Sequence, residues 1–211
     1  MQSLIIAPYL VWMALMLALP TSAAAYAVRS AAAGTLLVAL VIFGGRLRMP
    51  SRASVLWGVG AGLLVCLLWI WPENFEFYRR CFIVGTAAPP DAPSPYDPAV
   101  CGWPLTLMKL AGSAFVIAPA EELFFRSFLY RWIQGGDSAG ARLDRFDLTA
   151  FLWTVGLFAL EHDRYLAGAM AGAIYGLLAI RKSLAAAIIA HIVTNLALAI
   201  YVIRLSAWSF W

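Results

Sequence analysis

From residue 4 to residue 204 the sequence is a succession of apolar runs, most of them long enough to cross a bilayer, separated by short polar breaks. This pattern constrains the fold more than any other feature. Inside hydrocarbon a backbone has no water to bond to, so each run must satisfy its own N–H and C=O groups, and the helix does that within one segment. Barrel strands would be shorter and would alternate polar with apolar residues, and these runs do not. Seven spans are expected, at 4–20, 24–44, 54–71, 103–124, 149–162, 165–180 and 184–204. The fourth continues as a helix to about Ile133, where Gly135 and Gly136 stop it. The fifth is short and is expected to tilt or to be shielded by its neighbours. The expected fold is all-α, a polytopic transmembrane helical bundle of about seven spans. A chain of 211 residues with 63% hydrophobic and 12% charged residues has too little polar surface for a soluble domain.

One membrane domain accounts for the length. Its first part, 1–102, holds the N-terminal spans and an extramembrane proline-rich loop at 72–102, and its second part is 103–211. The N-terminal run resembles a signal peptide but lacks a basic segment before it, and it reads as the first span, with cleavage as the lesser alternative. Basic residues set the orientation. With the N-terminus in the cytoplasm, Arg46, Arg48, Arg52, Arg131, Arg142, Arg145, Arg181 and Lys182 lie inside, against Arg79, Arg80 and Arg164 outside. The expected location is an inner or plasma membrane, with the lipid bilayer as the first partner. The net charge of +4 is scattered over loops and forms no basic stripe, which argues against nucleic acid.

The loop at 72–102 is rich in proline, which disfavours a regular helix and favours an extended segment. Cys81 and Cys101 flank its proline-rich part. A disulfide in an oxidising compartment and two unrelated thiols are equally open readings. Cys66, within the third span, reads as a buried apolar residue. Most tryptophans fall near span ends, as in "WIWPE" and "SAWSFW", and read as interfacial anchors. Glu161 and Asp163 read as interfacial as well, and the small-residue stretch 167–176 suits close helix packing.

The residues that do not fit a plain bundle are polar groups inside the spans. Glu121, Glu122 and Arg126 share the fourth span, and helical spacing lets Glu122 pair with Arg126 while Glu121 points about 100° away. His162 ends the fifth span in "FALEH". His191 and Asn195 lie one turn apart in the seventh, in "HIVTN". Intramembrane ionisable groups are costly and mark sites. A carboxylate beside an imidazole can deprotonate water, and an imidazole with an amide can hold an oxyanion, which together suffice to hydrolyse a peptide bond.

The three segments "EELFFR", "FALEH" and "HIVTN" resemble, in order, the EExxxR, FxxxH and HxxxN motifs of the CAAX prenyl endopeptidase and bacteriocin-processing (CPBP, type II CAAX or ABI) family. The resemblance covers about residues 103–204. It implies an intramembrane glutamate-dependent protease without a metal or other cofactor, acting on a peptide or membrane-anchored protein. It further implies Glu121 and His162 as activators of water, His191 and Asn195 as the oxyanion hole, and Glu122 and Arg126 as orienting groups. The charge of Arg126 separately suggests a place near a substrate carboxylate. The pattern is also similar to the branch of the family that accompanies exosortase systems, which makes such a system a candidate partner.

Three other readings compete. Two glutamates and two histidines could hold zinc, although no helix pairs two histidines. The same fold could serve as a non-catalytic scaffold or immunity protein. A transporter would require an inverted repeat, which the hydropathy does not show. The expected topology also carries a tension, because it sets Glu121 toward the cytoplasmic half and His162 toward the outer end of its span.

Overall fold

The computed structural model describes residues 2–43, 50–83, 94–136 and 142–211. In chain order the helices are α1 (Gln2–Ala18), α2 (Ala23–Phe43), α3 (Arg52–Ile70), α4 (Glu76–Phe82), α5 (Pro98–Cys101), α6 (Trp103–Gly135), α7 (Leu148–Leu160), α8 (Tyr165–Arg181) and α9 (Leu184–Leu205). Among the described residues there is no strand, and one isolated bridge joins Ile83 to Arg164. Seven apolar helices stand on the seven expected runs. Four regions, Ala23–Phe43, Arg52–Asn74, Trp103–Gly135 and Leu184–Leu205, have the length and apolarity to cross a membrane, and three further apolar helices are shorter.

Local chemistry sets the boundaries. Ser51, Asp147 and Ser183 each accept a backbone N–H at a helix start. Gly136, at φ 70°, closes α6, since glycine takes the left-handed region without a Cβ clash. The loop after α3 differs from the extended segment expected of it. Pro72 and Pro98 sit in the first turns of short helices, where a missing N–H is no loss, so helical turns occupy both ends of the loop. Its proline-rich middle, 84–93, lies outside the described residues. Cys81 and Cys101 are free thiols.

Glycine sets the closest helix contact, where α3 lies along α9. A Cβ on Gly58 would stand 2.7 Å from Ile189 Cγ2, and one on Gly62 would stand 2.5 Å from the Ala190 carbonyl oxygen. Small residues four apart thus bring the two backbones together, as lipid-embedded helices require when no hydrophobic force drives them. Gly112 plays the same part between α6 and α2, against Ser30 and Tyr26. Gly168 and Gly172 let α8 close on Ala159 and Phe158 of α7. Around these contacts a core forms from Tyr9, Val65, Ala120, Phe125, Phe158, Tyr175 and the alanines of α9.

Contacts between loops gather at two ends of the bundle. At one end Arg164 pairs with Glu73 and donates to the Ser209 carbonyl at 2.9 Å, and Tyr165 donates to the Cys81 carbonyl at 2.8 Å. These join the segment after α3, the α7–α8 turn and the chain after α9. At the other end Ser54 and Ser183 hydroxyls meet at 3.0 Å, and Lys182 lies 4.4 Å from the Trp57 ring.

Gly62→Ala is expected to destabilise the bundle by about 1–3 kcal/mol through overpacking against α9. Gly60→Ala is the control, because nothing lies within 4 Å of a Cβ there. Thermal unfolding in detergent should lower the midpoint for the first variant and leave it for the second.

Candidate active site

The longest helix carries the site. α6 has 33 residues, about 50 Å of helix, against a hydrocarbon core of about 30 Å. It is not uniform. Two π-helical stretches, Ser113–Ile117 and Leu123–Leu129, flank the α-helical segment Ala118–Glu122. Pro119 gives the first a cause, since proline has no N–H to offer and its ring crowds the carbonyl four residues back, which a wider turn relieves. The consequence is a change of register. Residues 109 and 121 would stand about 120° apart on a regular helix. One inserted residue brings them to about 20°, and Lys109, Ser113, Ile117 and Glu121 all line one cavity.

That cavity has a volume of about 280 Å³. The sequence-predicted residues Glu121, His162, His191 and Asn195 all border it. Glu121 and His162, which the expected topology set apart, border the same cavity. Glu121 keeps one carboxylate oxygen, Oε2, buried and without a hydrogen-bond partner, 3.8 Å from His191 Nε2.

Glu122 and Arg126 do not line the cavity. Glu122 is fully buried and Arg126 is 2% exposed. Arg126 Nε lies 3.2 Å from Glu122 Oε2, the pair expected from helical spacing, and Arg126 Nη2 donates to the Gly172 carbonyl at 3.0 Å. The Phe158 ring lies under the guanidinium at 4.6 Å. Arg126 is therefore sealed behind the site and does not reach a substrate carboxylate, contrary to the expectation from its charge. Its partner does reach the site indirectly, since His191 Nδ1 donates to Glu122 Oε1 at 3.0 Å.

His191 is held by two aromatic rings. Tyr175 stacks on it at 4.8 Å, with planes 23° apart, and Phe158 meets it edge-on at 5.8 Å. The Tyr175 hydroxyl in turn donates to Thr194 Oγ1 at 2.7 Å, and Thr194 bonds the Gly62 carbonyl at 2.9 Å. A chain of contacts thus runs from the α3–α9 glycine seam to the imidazole.

His162 is held differently. Its Nδ1 stands 2.8 Å from the Phe158 carbonyl oxygen, which can only accept. The Nδ1 therefore carries a proton, and in the neutral ring Nε2 keeps its lone pair. Trp69 and Phe158 pack on the ring at 5.2 and 4.8 Å. Asn195 donates one amide hydrogen to the Ser113 carbonyl at 2.8 Å, and its second hydrogen stays available.

Several cavity residues escape a sequence reading. Tyr26, Lys109 and Ser113 look like span residues, and the register change that aligns Lys109 and Ser113 with Glu121 has only Pro119 as its signal. Glu161 and Asp163, read as interfacial, line the cavity with Arg164. Trp12, Trp69 and Trp211 line it too, whereas Trp71 is exposed. An adjoining, mostly apolar cavity of about 540 Å³, lined by Phe82, Leu160, Tyr165 and Leu166, shares Glu161, His162 and Asp163 with the first. Among the described residues no three His, Cys, Asp or Glu side chains are arranged to hold a metal ion.

Residues 103–197 match the family model described as type II CAAX prenyl endopeptidase Rce1-like. The match spans α6 to α9 up to Ala197, and so all seven motif residues. It is a likeness to CAAX proteases, which are membrane-embedded and act on a peptide or protein substrate. No curated protein and no solved structure matches the chain.

Glu122→Ala would leave the Arg126 guanidinium buried without a counter-ion, and should cost about 3–5 kcal/mol. Tyr175→Phe removes only the bond to Thr194 and should cost about 1 kcal/mol. Unfolding midpoints of the purified variants in one detergent should fall in that order.

Proposed function

We propose that the chain, which carries a type II CAAX prenyl endopeptidase Rce1-like domain at residues 103–197, is an intramembrane endopeptidase that hydrolyses a peptide bond with glutamate-activated water. The carrying observation is the shared cavity, where Glu121, His162, His191 and Asn195 meet around one space of molecular size. Glu121 borders that space, and its buried Oε2 has no hydrogen-bond partner. His162 presents Nε2, its other nitrogen being tied to the backbone.

In this reading Glu121, assisted by His162, takes a proton from water as its oxygen bonds to the scissile carbonyl carbon. The oxyanion then accepts hydrogen bonds from Asn195 Nδ2 and from protonated His191 at Nε2, since Nδ1–H is already given to Glu122. As the C–N bond breaks, the proton taken from water passes to the leaving amine. Glu122 and Arg126 touch no reacting atom. They fix the orientation of His191 and hold α6 to α8. All seven apolar helices cross a cell membrane in this proposal, and the substrate is a peptide or membrane-anchored protein. A partnership with an exosortase system rests on the sequence resemblance alone.

A zinc-assisted version of the same hydrolysis stands second. Glu122 already bonds His191 and Arg126, and among the described residues no three His, Cys, Asp or Glu side chains are arranged to hold a metal ion, so the residues present do not fit that version.

Glu121→Gln keeps shape and volume, so the variant should fold and insert while losing at least about 10³-fold in cleavage rate. Comparing the peptide termini of membrane proteins in cells with either form should show ends that depend on Glu121. If no terminus changes, the non-catalytic scaffold reading replaces this one. Asn195→Ala should lower the rate about 10²-fold or more with little change in KM. Dialysis against a strong zinc chelator should leave the wild-type rate unchanged, and a loss restored by added zinc would favour the second version.

A further inference from the structure

Arg126 is sealed away, yet a cation does line the cavity. Lys109 belongs to the same row of α6 as Ser113, Ile117 and Glu121. Its Nζ lies 4.2 Å from the centre of the Tyr26 ring, 4.7 Å from Tyr96 and 5.9 Å from Trp211. Behind it stands Arg29 of α2, 5% exposed, with Cζ 5.7 Å from the same Tyr26 ring and 5.6 Å from Trp12.

Among the described residues neither Lys109 nor Arg29 has a carboxylate within ion-pair distance. Two basic side chains flank one aromatic ring in the interior of a membrane protein. Aromatic faces attract such cations but do not neutralise them. Everywhere else in this interior a buried cation is paired, Arg126 with Glu122 and Arg164 with Glu73. A second, independent feature points the same way. The Tyr26 hydroxyl is buried, has no hydrogen-bond partner, and belongs to a residue that lines the cavity beside Lys109. Arg29 Nε is unpartnered as well. The cavity wall thus holds, at Tyr26 and Lys109, a buried donor without a partner and a basic group with no carboxylate of the described residues within ion-pair distance.

We propose that Lys109, with the Tyr26 hydroxyl, is the receptor for a carboxylate of the bound peptide and determines specificity at this end of the cavity. The inference rests on reading the cavity as a peptide-hydrolysing site. The carboxylate belongs either to a free C-terminus or to an acidic side chain, since both present the same acceptor pair. Twelve residues of α6 separate Lys109 from Glu121, about 18 Å of axis, so at most about five extended residues fit between the anchored carboxylate and the scissile bond.

The test uses full-length protein in nanodiscs with Glu121→Gln to prevent turnover. The probe is a pentapeptide of alanine, valine and leucine in three forms, namely free acid, C-terminal amide, and amide with one residue changed to glutamate. Thermophoresis measures the affinity of each. The free acid or the glutamate amide should bind at least about tenfold tighter than the plain amide, the usual worth of a charged hydrogen bond. Preference for the free acid alone assigns a C-terminus, and preference for the glutamate amide assigns a side chain. Adding Lys109→Met should erase the preference, and adding Lys109→Arg should restore it. Equal binding of all three forms, no binding of any, or a preference that survives Lys109→Met overturns the proposal. The ratio within the Lys109 protein needs no second mutation, so misfolding of a variant does not blur it. Cleavage by the wild-type protein is scored separately. Carboxylate preference without cleavage removes the hydrolase reading and keeps the receptor, and cleavage without preference does the reverse.

Discussion

A carboxylate with no access to water organises this structure. Glu122 is fully buried, and its two oxygens face Arg126 on its own helix and His191 on α9. An uncompensated charge in that position would cost several kcal/mol, so both contacts have to be kept together. Keeping them fixes how α6 rotates, how far α9 slides along it, and, through the Arg126 bond to the Gly172 carbonyl, where α8 stands. Once those three helices are placed, Glu121 has no choice of face. It is the neighbour of a residue turned inward, and it meets the cavity.

The helix that carries both glutamates departs from regular winding where it matters for the cavity. Residues spaced by four drift about 40° per step on a regular α-helix and would spiral away from a common space. The π-helical turn beside Pro119 takes up that drift, so Lys109, Ser113, Ile117 and Glu121 form one wall. The Glu121 carboxylate and the distant Lys109 amine thereby come onto one surface of a single element, without a loop or a second helix to hold the spacing.

Much of the bundle was legible from hydropathy because apolar runs of bilayer length leave little alternative to helices. Glu122 with Arg126 followed from a spacing of four, and His191 with Asn195 from the same rule. Glu121, His162, His191 and Asn195 were found because they are chemically out of place in apolar runs. What stayed hidden depended on things a residue-by-residue reading does not contain. Lys109 was hidden by a change in helical register. Trp69 and Trp211 look like anchors in sequence, yet both line the cavity, Trp69 from the end of α3 and Trp211 from the chain after α9. Arg126 was misplaced because charge alone says that a group attracts a carboxylate, not which one. Its own neighbour Glu122 was the nearer partner, and burial made that pairing exclusive.

The bond from Glu122 to His191 joins residues 69 apart in the chain, and this has a consequence for biogenesis. As the polypeptide is made from its N-terminus, α6 is complete well before α9 exists. During that interval the helix holds two carboxylates and one guanidinium, and only the local pair with Arg126 can offset them. Glu121 has to remain near water, or near a chaperoning surface, until the last helix arrives. The grouping of Glu121 with His191 and Asn195 is therefore absent until α9 has been made, and under the proposed function a nascent chain that lacks α9 cannot hydrolyse a peptide bond.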